Sequence, residues 1–268
     1  MTAWEAIVAV VLGLVEGASE FLPISSTGHL IAVGEMLRFT GDRANTFQVV
    51  IQIGAILAVI WHYRDKLIGL MLRSFKRGPE QRLALNVILA FLPAAILGFL
   101  LIGFVKTLFS TVVVAWALIL GGLVMLLLEW RTPRTSARTL EEVRPGQALT
   151  IGLAQCLAMI PGTSRAAATI LGGYAAGLSR PAATEFSFLL AIPTICGAGV
   201  LDLWESRELL SAADAPFFAL GTLVAFVSAL LVIRGFLRFV ERHTFVGFAW
   251  YRIGFGALLL VLIANGIL

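Results

Sequence analysis

Charge is what this chain has little of. Only 13% of its 268 residues are Asp, Glu, Lys or Arg, whereas 59% are hydrophobic, and the mean hydropathy is +0.94. A soluble domain carries about 25% charged residues, so too little polar surface exists to cover a water-soluble globule. That excludes a soluble enzyme, a disordered chain and a secreted disulfide scaffold, and leaves a polytopic membrane protein. Cysteine is scarce too. Cys156 and Cys196 both lie in apolar segments, too few and too far from histidine for a metal knuckle or disulfide frame. No Lys or Arg precedes Arg38, so a cleaved signal peptide with a basic start is not expected. There is no Walker loop, H-E-x-x-H or paired C-x-x-C. The excess of 20 Lys+Arg over 16 Asp+Glu reads as a loop bias of a membrane protein, not as a nucleic-acid footprint.

What is present is apolar sequence in two lengths. Residues 47–62, 83–105, 111–129, 183–203, 216–236 and 246–267 are long enough, or nearly so, to span, a span needing about 20 residues. Residues 4–15, 21–37, 147–160 and 164–178 are shorter and come as two consecutive pairs. Each pair is interrupted by proline and polar residues, at Pro23-Ile24-Ser25-Ser26-Thr27-Gly28-His29 and at Pro161-Gly162-Thr163-Ser164-Arg165. Broken backbone at membrane depth survives only where protein covers it or water reaches it. The expectation is an all-α polytopic membrane protein with about six transmembrane helices plus two re-entrant helical hairpins.

Basic residues set the sides. Arg64, Lys66, Arg73, Lys76, Arg77 and Arg82 fall in 64–82; Arg131, Arg134, Arg138 and Arg144 in 130–146; Arg234, Arg238 and Arg242 in 234–245. These loops are expected to be cytoplasmic. The 204–215 loop holds Glu205, Glu208 and Asp214 against Arg207, and 106–110 only Lys106. Both termini then face outward. Trp4, Trp61, Trp130, Trp204 and Trp250 stand near span ends, as an aromatic belt requires.

A shift of 139 positions lays one broken pair on the other without a gap. Gly13 falls on Gly152, Ser25 on Ser164, Gly34 on Gly173 and Phe47 on Phe186. Three spans separate the hairpins, so the second enters from the opposite face: an inverted-topology repeat with both tips near the midplane. The chain reads as a single integral membrane domain over 1–268, with repeat one at about 1–130, a basic cytoplasmic linker at 131–146 and repeat two at about 147–268.

Ionisable groups inside a membrane are functional by default. Glu16 and Glu20 lie four apart, on one helix face, where they could bind a cation, share a proton or act as a base. Ser25, Ser26, Thr27 and His29 open a new apolar run after Pro23. Such a start reads as a helix N-terminus, an anion site. Ser26 and His29 are three apart and share a face, the arrangement of a hydroxyl nucleophile with an imidazole base. An ordinary Ser/Thr cap with a satisfied histidine has the same pattern. The second tip supplies Thr163, Ser164 and Arg165, and a guanidinium there suits bidentate phosphate binding or an ion pair with Glu16 or Glu20. Gln52 and Gln155 read as helix-packing amides, and Glu185 as a helix cap or a local partner of Arg180.

The run Glu16-Gly17-Ala18-Ser19-Glu20-Phe21-Leu22-Pro23-Ile24-Ser25-Ser26-Thr27-Gly28-His29 resembles the signature of the bacterial undecaprenyl-diphosphatase family, the bacitracin-resistance type. Pro161-Gly162-Thr163-Ser164-Arg165 and Glu185-Phe186-Ser187-Phe188-Leu189-Leu190 also resemble that family. The resemblance covers essentially the whole chain. It implies hydrolysis of undecaprenyl diphosphate to the monophosphate and inorganic phosphate, recycling the lipid carrier of cell-wall synthesis. It also implies a bacterial cytoplasmic (inner) membrane location and a site open to the periplasmic or outer side. By resemblance Glu16 and Glu20 match the acidic pair, Ser26 the nucleophile, and Ser25 and Thr27 phosphate ligands beside it. His29 matches an acid/base, Arg165 the phosphate-binding arginine, and Ser164 and Thr169 its polar neighbours. The family's cation dependence implies a divalent cation, Mg2+ or Ca2+, at Glu16 and Glu20, shared with substrate phosphate. The implied partners are a polyprenyl diphosphate and membrane lipids, with no nucleic acid; a homodimer is compatible with them.

Two departures stand out. Ala166-Ala167 follow Arg165 where the family continues Ser-Gly, and Gln48 stands where many members carry Glu. A lipid-diphosphate transporter or flippase using the same inverted-repeat site is the alternative, and Ser26 and His29 discriminate, since a carrier needs no nucleophile. The phosphatidic acid phosphatase type is excluded. It uses a histidine nucleophile, a second histidine and upstream Lys/Arg; only His29, His62 and His243 exist, and no histidine follows Ser164-Arg165 at the required distance.

Overall fold

The structure, a computed structural model, describes residues 1–73, 77–205 and 212–267, without the side chains of Ile102, Lys106, Glu205 and Ala212. Lys76, Arg207 and Glu208, and the side chains of Lys106 and Glu205, therefore lie outside the described residues. Eleven α-helices occupy the described residues, and one isolated bridge, Ala137 to Leu178, is their only β pairing.

Six helices are long and apolar enough to cross a membrane, which makes this a multi-pass membrane protein. They are α3 (Asp42–His62), α5 (Pro79–Thr107), α6 (Thr111–Arg131), α9 (Arg180–Glu205), α10 (Ala215–Arg242) and α11 (Val246–Ala264). Large apolar side chains such as Phe99, Leu100 and Leu231 are exposed on them, as a lipid-facing band requires.

The short apolar pieces form two helix–break–helix hairpins. The first is α1 (Ala3–Ser19) and α2 (Ser26–Met36); the second is α7 (Pro145–Gln155), a 3-10 turn at Cys156–Met159, and α8 (Arg165–Ala175). Eleven residues each in α2, α7 and α8 reach about 16 Å at 1.5 Å per residue, half of a ~30 Å hydrocarbon core. Thr2 opens α1 with a reciprocal capping box to Glu5. Pro145 stands in the first turn of α7, where its missing N–H is no loss.

Small residues let these helices approach. α1 packs on α10, and α7 on α5. A Cβ on Gly13 would lie 2.6 Å from the Gly221 carbonyl of α10, and one on Gly152 would lie 2.5 Å from the Ala90 carbonyl of α5. Only glycine permits these backbone contacts, and the two glycines occupy matching positions of the hairpins.

The bases of the hairpins lie at opposite ends of the bundle. Arg43 of α3 pairs with Glu5 of α1 at 2.9 Å and with Asp214 before α10 at 2.5 Å. At the other end Arg180 of α9 makes a forked pair with Glu129 of α6 at 2.9 and 2.5 Å and donates to the Tyr174 hydroxyl after 3.0 Å. The Phe245 N–H adds a 2.7 Å bond to the same Glu129. Glu129, not Glu185, is thus the partner of Arg180: it reaches from the end of α6 with both carboxylate oxygens, a contact between elements that local spacing does not reveal.

The basic stretch after α3 is helical where it begins: α4 (Arg64–Arg73) follows, and its Leu67 and Leu70 pack on the core. Its short amphipathic pattern is hidden among basic residues.

Candidate active site

Both breaks turn the chain by the same device. Ser25 has φ 73° and Ser164 φ 70°, a region that L-residues avoid at about 1–3 kcal/mol. Each serine is the N-cap of the helix that follows. Ser25 Oγ accepts from Gly28 N–H at 3.4 Å and Ser164 Oγ from Ala167 N–H at 3.1 Å. The reversal aims the N-termini of α2 and α8 at a common space. Gly162, φ 91°, allows the second tip to lie against α6, where a Cβ would stand 2.6 Å from Val114 Cα.

The tips meet through side chains. Arg165 donates from Nη2 to Glu20 Oε1 at 3.1 Å, and this pair is almost fully buried, at 11% and 6% side-chain exposure. Ser26 Oγ donates to the other oxygen, Glu20 Oε2, at 2.6 Å. From Nη1 Arg165 donates to the Ser187 carbonyl at 3.0 Å and to Ser187 Oγ at 3.4 Å. Thr169 Oγ1 donates its single proton to the Arg165 carbonyl at 2.8 Å, so at the 2.6 Å contact with Ser187 Oγ Ser187 is the donor. The guanidinium also stands 5.8 Å from the Phe21 ring centre. Glu20, Ser26, Arg165, Thr169 and Ser187 thus form one connected chain, with Arg165 Nε buried and unpartnered.

That chain borders a cavity of about 560 Å³. Glu20, Ser26, Thr27, Ser164 and Arg165 line it, and so do the polar Gln52, Gln155 and Thr194. Ala94, Ala95 and Gly98 of α5 and Gly197, Ala198 and Leu201 of α9 give it apolar wall, with Asp202 after them. A charged head with an apolar tail fits such a space.

Other residues expected at the site stand apart from the cavity. Glu16 lies one turn before Glu20, 1% exposed, with Oε1 buried and unpartnered. His29 does not reach Ser26. Its Nδ1 contacts the Ser25 carbonyl at 2.7 Å and its Nε2 the Tyr251 hydroxyl at 2.6 Å. A carbonyl only accepts, so Nδ1 carries a proton. The ring stacks on Phe255 with centres 4.3 Å apart. Three-residue spacing puts Ser26 and His29 on one side of α2, but their side chains diverge, one toward the tip and one toward α11.

Two residues escaped the sequence reading. Ser187 is a hydroxyl inside a span, weak as a signal because such hydroxyls commonly bond their own helix. Arg252 lies inside a span, is fully buried, and donates to four carbonyls. An arginine in an apolar run is a strong signal.

The donor set fits a divalent cation only in company with substrate oxygens. Glu16 offers an unpartnered carboxylate oxygen, and Glu20 borders the cavity. Among the described residues no group of three or more His, Cys, Asp or Glu gathers as a cage, and hard cations want six or more oxygens, roughly.

Residues 9–258 match the family described as Bacitracin resistance protein BacA. The chain is 51% identical to the undecaprenyl-diphosphatase of Nitrosomonas europaea, over 97% of this chain and 95% of that one. It is 52% identical to that of Nitrosospira multiformis, over 96% and 94%, and 49% identical to that of Azotobacter vinelandii, over 97% and 95%.

Proposed function

This chain belongs to the Bacitracin resistance protein BacA family, and from that membership we propose how its two tips act as a hydrolase. It is an enzyme, an undecaprenyl-diphosphatase, that converts undecaprenyl diphosphate to undecaprenyl phosphate and inorganic phosphate. The observation that carries the mechanism is the hydrogen bond from Ser26 Oγ to Glu20, whose other oxygen is held by Arg165.

The diphosphate enters the cavity beside Glu20, Ser26 and Arg165 while the prenyl tail lies along the apolar residues of α5 and α9. Arg165 and the N-termini of α2 and α8 neutralise the phosphoryl oxygens, the main task in phosphoryl transfer. Ser26 Oγ attacks the terminal phosphorus as Glu20 Oε2 takes the hydroxyl proton. The bond from that phosphorus to the bridging oxygen breaks, Glu20 gives the proton it took to that oxygen, and undecaprenyl phosphate leaves. Water then attacks the phosphoserine, giving one proton to Glu20. The P–Oγ bond breaks, Ser26 regains a proton from Glu20, and phosphate departs. Ser25, Thr27 and Ser164 orient the phosphate through the two helix starts. Thr169 acts through Ser187 and Arg165, and His29 through the Ser25 carbonyl. Glu16 and Glu20 would hold a divalent cation, Mg2+ or Ca2+, whose chemistry would be charge neutralisation on phosphate oxygens.

The same reading makes the two hairpins re-entrant halves of an inverted repeat, with the 131–146 linker on the cytoplasmic side of a bacterial inner membrane. The lipid then reaches the tips from the outer face. The opposite hairpin bases, the matched serine caps and the matched glycines support it. The test is trapping of the intermediate. Undecaprenyl diphosphate labelled in its terminal phosphate, quenched in acid, leaves label on Ser26 if the serine attacks. Turnover with no label on the protein would replace this route by direct attack of water.

A further inference from the structure

Arg252 is the fully buried charge that the hydrolysis above does not use. It lies on α11 at 0% exposure, and among the described residues no carboxylate forms a salt bridge with it. Its donors go to backbone. Nη1 donates to the Pro23 carbonyl at 3.1 Å, and Nη2 to the Gly162 carbonyl at 3.3 Å and the Ala117 carbonyl at 3.1 Å; Nε points to the Leu118 carbonyl at 3.4 Å. Pro23 and Gly162 stand 139 positions apart, the same shift that relates Ser25 to Ser164. One guanidinium therefore holds the same register position in both tips, two residues before each cap. α6 leaves room for it at Gly121, where a Cβ would stand 3.0 Å from Arg252 Cζ and closer still to Nη2. The neighbouring Tyr251 bonds His29, which holds the Ser25 carbonyl, so α11 grips the first tip twice.

We propose that Arg252 is a positioning residue: its fork staples the Pro23 and Gly162 carbonyls together and so fixes the distance between the helix start that carries Ser26 and the one that carries Arg165. This rests on the hydrolase reading for its consequence, not for its geometry. The nucleophile comes from one hairpin and the phosphate-binding arginine from the other. Between them the tips share the Arg165–Glu20 pair, which substrate phosphate must compete with. The staple keeps its contacts to backbone when the phosphate enters, so the two halves stay in register during the reaction. Two divergent N–H groups on a rigid plane are required. A lysine ammonium carries the charge, but as a single point on a flexible stem it does not serve both carbonyls in this geometry.

The test compares wild type with Arg252→Lys in detergent, read by phosphate release and by hydrogen exchange of the tip peptides around residues 23–28 and 162–167. A second variant, Gly121→Ala, keeps the arginine and pushes its Nη2 aside, which guards against a lysine variant that fails to fold. The expected result is a fall in kcat of roughly 10–100-fold with KM within about threefold. Faster exchange is expected in both tip peptides together, while the α3 and α10 peptides stay protected. A merely structural role would lower the melting temperature and speed exchange throughout, with kcat per folded molecule unchanged; that result overturns the proposal. So does faster exchange at one tip alone or at neither, or a lysine variant with wild-type kcat, which would assign the arginine to charge. If wild type itself releases no phosphate, the hydrolase reading fails, and the exchange comparison alone decides the staple.

Discussion

Ser26 gives its hydroxyl proton to Glu20, six residues earlier in the chain, across a 2.6 Å bond. The bond closes over the break between α1 and α2, so the turn itself sets the pair. The same carboxylate receives Arg165 from the other hairpin. The proposed nucleophile, base and phosphate ligand are therefore joined before substrate arrives.

Glu20→Gln keeps the shape and removes the proposed base. Turnover is expected to drop by about 10²–10⁴, measured as phosphate release from undecaprenyl diphosphate. His29→Asn is expected to keep turnover within about tenfold, because the imidazole faces Ser25 and Tyr251. A larger loss in His29→Asn than in Glu20→Gln would exchange the two roles.

Arg165→Lys keeps a charge but loses the fork shared by Glu20 and Ser187. The expected loss in kcat is about 10²–10³. Ser187→Ala removes the longer contact to Arg165, the 3.4 Å one to Oγ, together with the bond to Thr169, and leaves the carbonyl, so its effect stays within about tenfold. Equal losses in both variants would mean that the Ser187 hydroxyl, not its carbonyl, orients the guanidinium.

Much of this site is legible in the sequence. The two proline-polar breaks, the acidic pair and Arg165 mark themselves as polar groups in apolar runs. The shift of 139 positions brings Ser25 onto Ser164, and both prove to be caps with left-handed backbone. The direction of a side chain on a face is less legible. Spacing puts Ser26 and His29 on one side of α2, but the aromatic stack of Tyr251 and Phe255 draws His29 away. Neither ring has any sequence proximity to the tip. Arg252 was readable by its burial cost, yet its partners are carbonyls, which carry no residue identity.

The strain at the second cap separates two serine substitutions. Ser164→Ala removes the bond to Ala167 N–H and keeps the awkward backbone, for a loss of about 1 kcal/mol. Ser164→Gly also loses the hydroxyl but adopts φ 70° freely, and only a few tenths of a kcal/mol, roughly, should go. Thermal unfolding in detergent orders the two; a glycine variant less stable than the alanine one would contradict the reading of strain.

Glu129→Gln probes the far end of the bundle. The carboxylate is 4% exposed and grips both Arg180 and the Phe245 N–H, so breaking the buried pair costs about 3–5 kcal/mol. The folded fraction should keep wild-type kcat, since none of these groups lines the cavity. A large fall in kcat with unchanged melting would tie this end to the chemistry.

The most direct test is phosphate release from undecaprenyl diphosphate by the purified protein, with divalent cation supplied, beside Ser26→Ala. The account predicts steady turnover by wild type and none by the folded variant. Equal turnover by both, or none by wild type with and without cation, would contradict it.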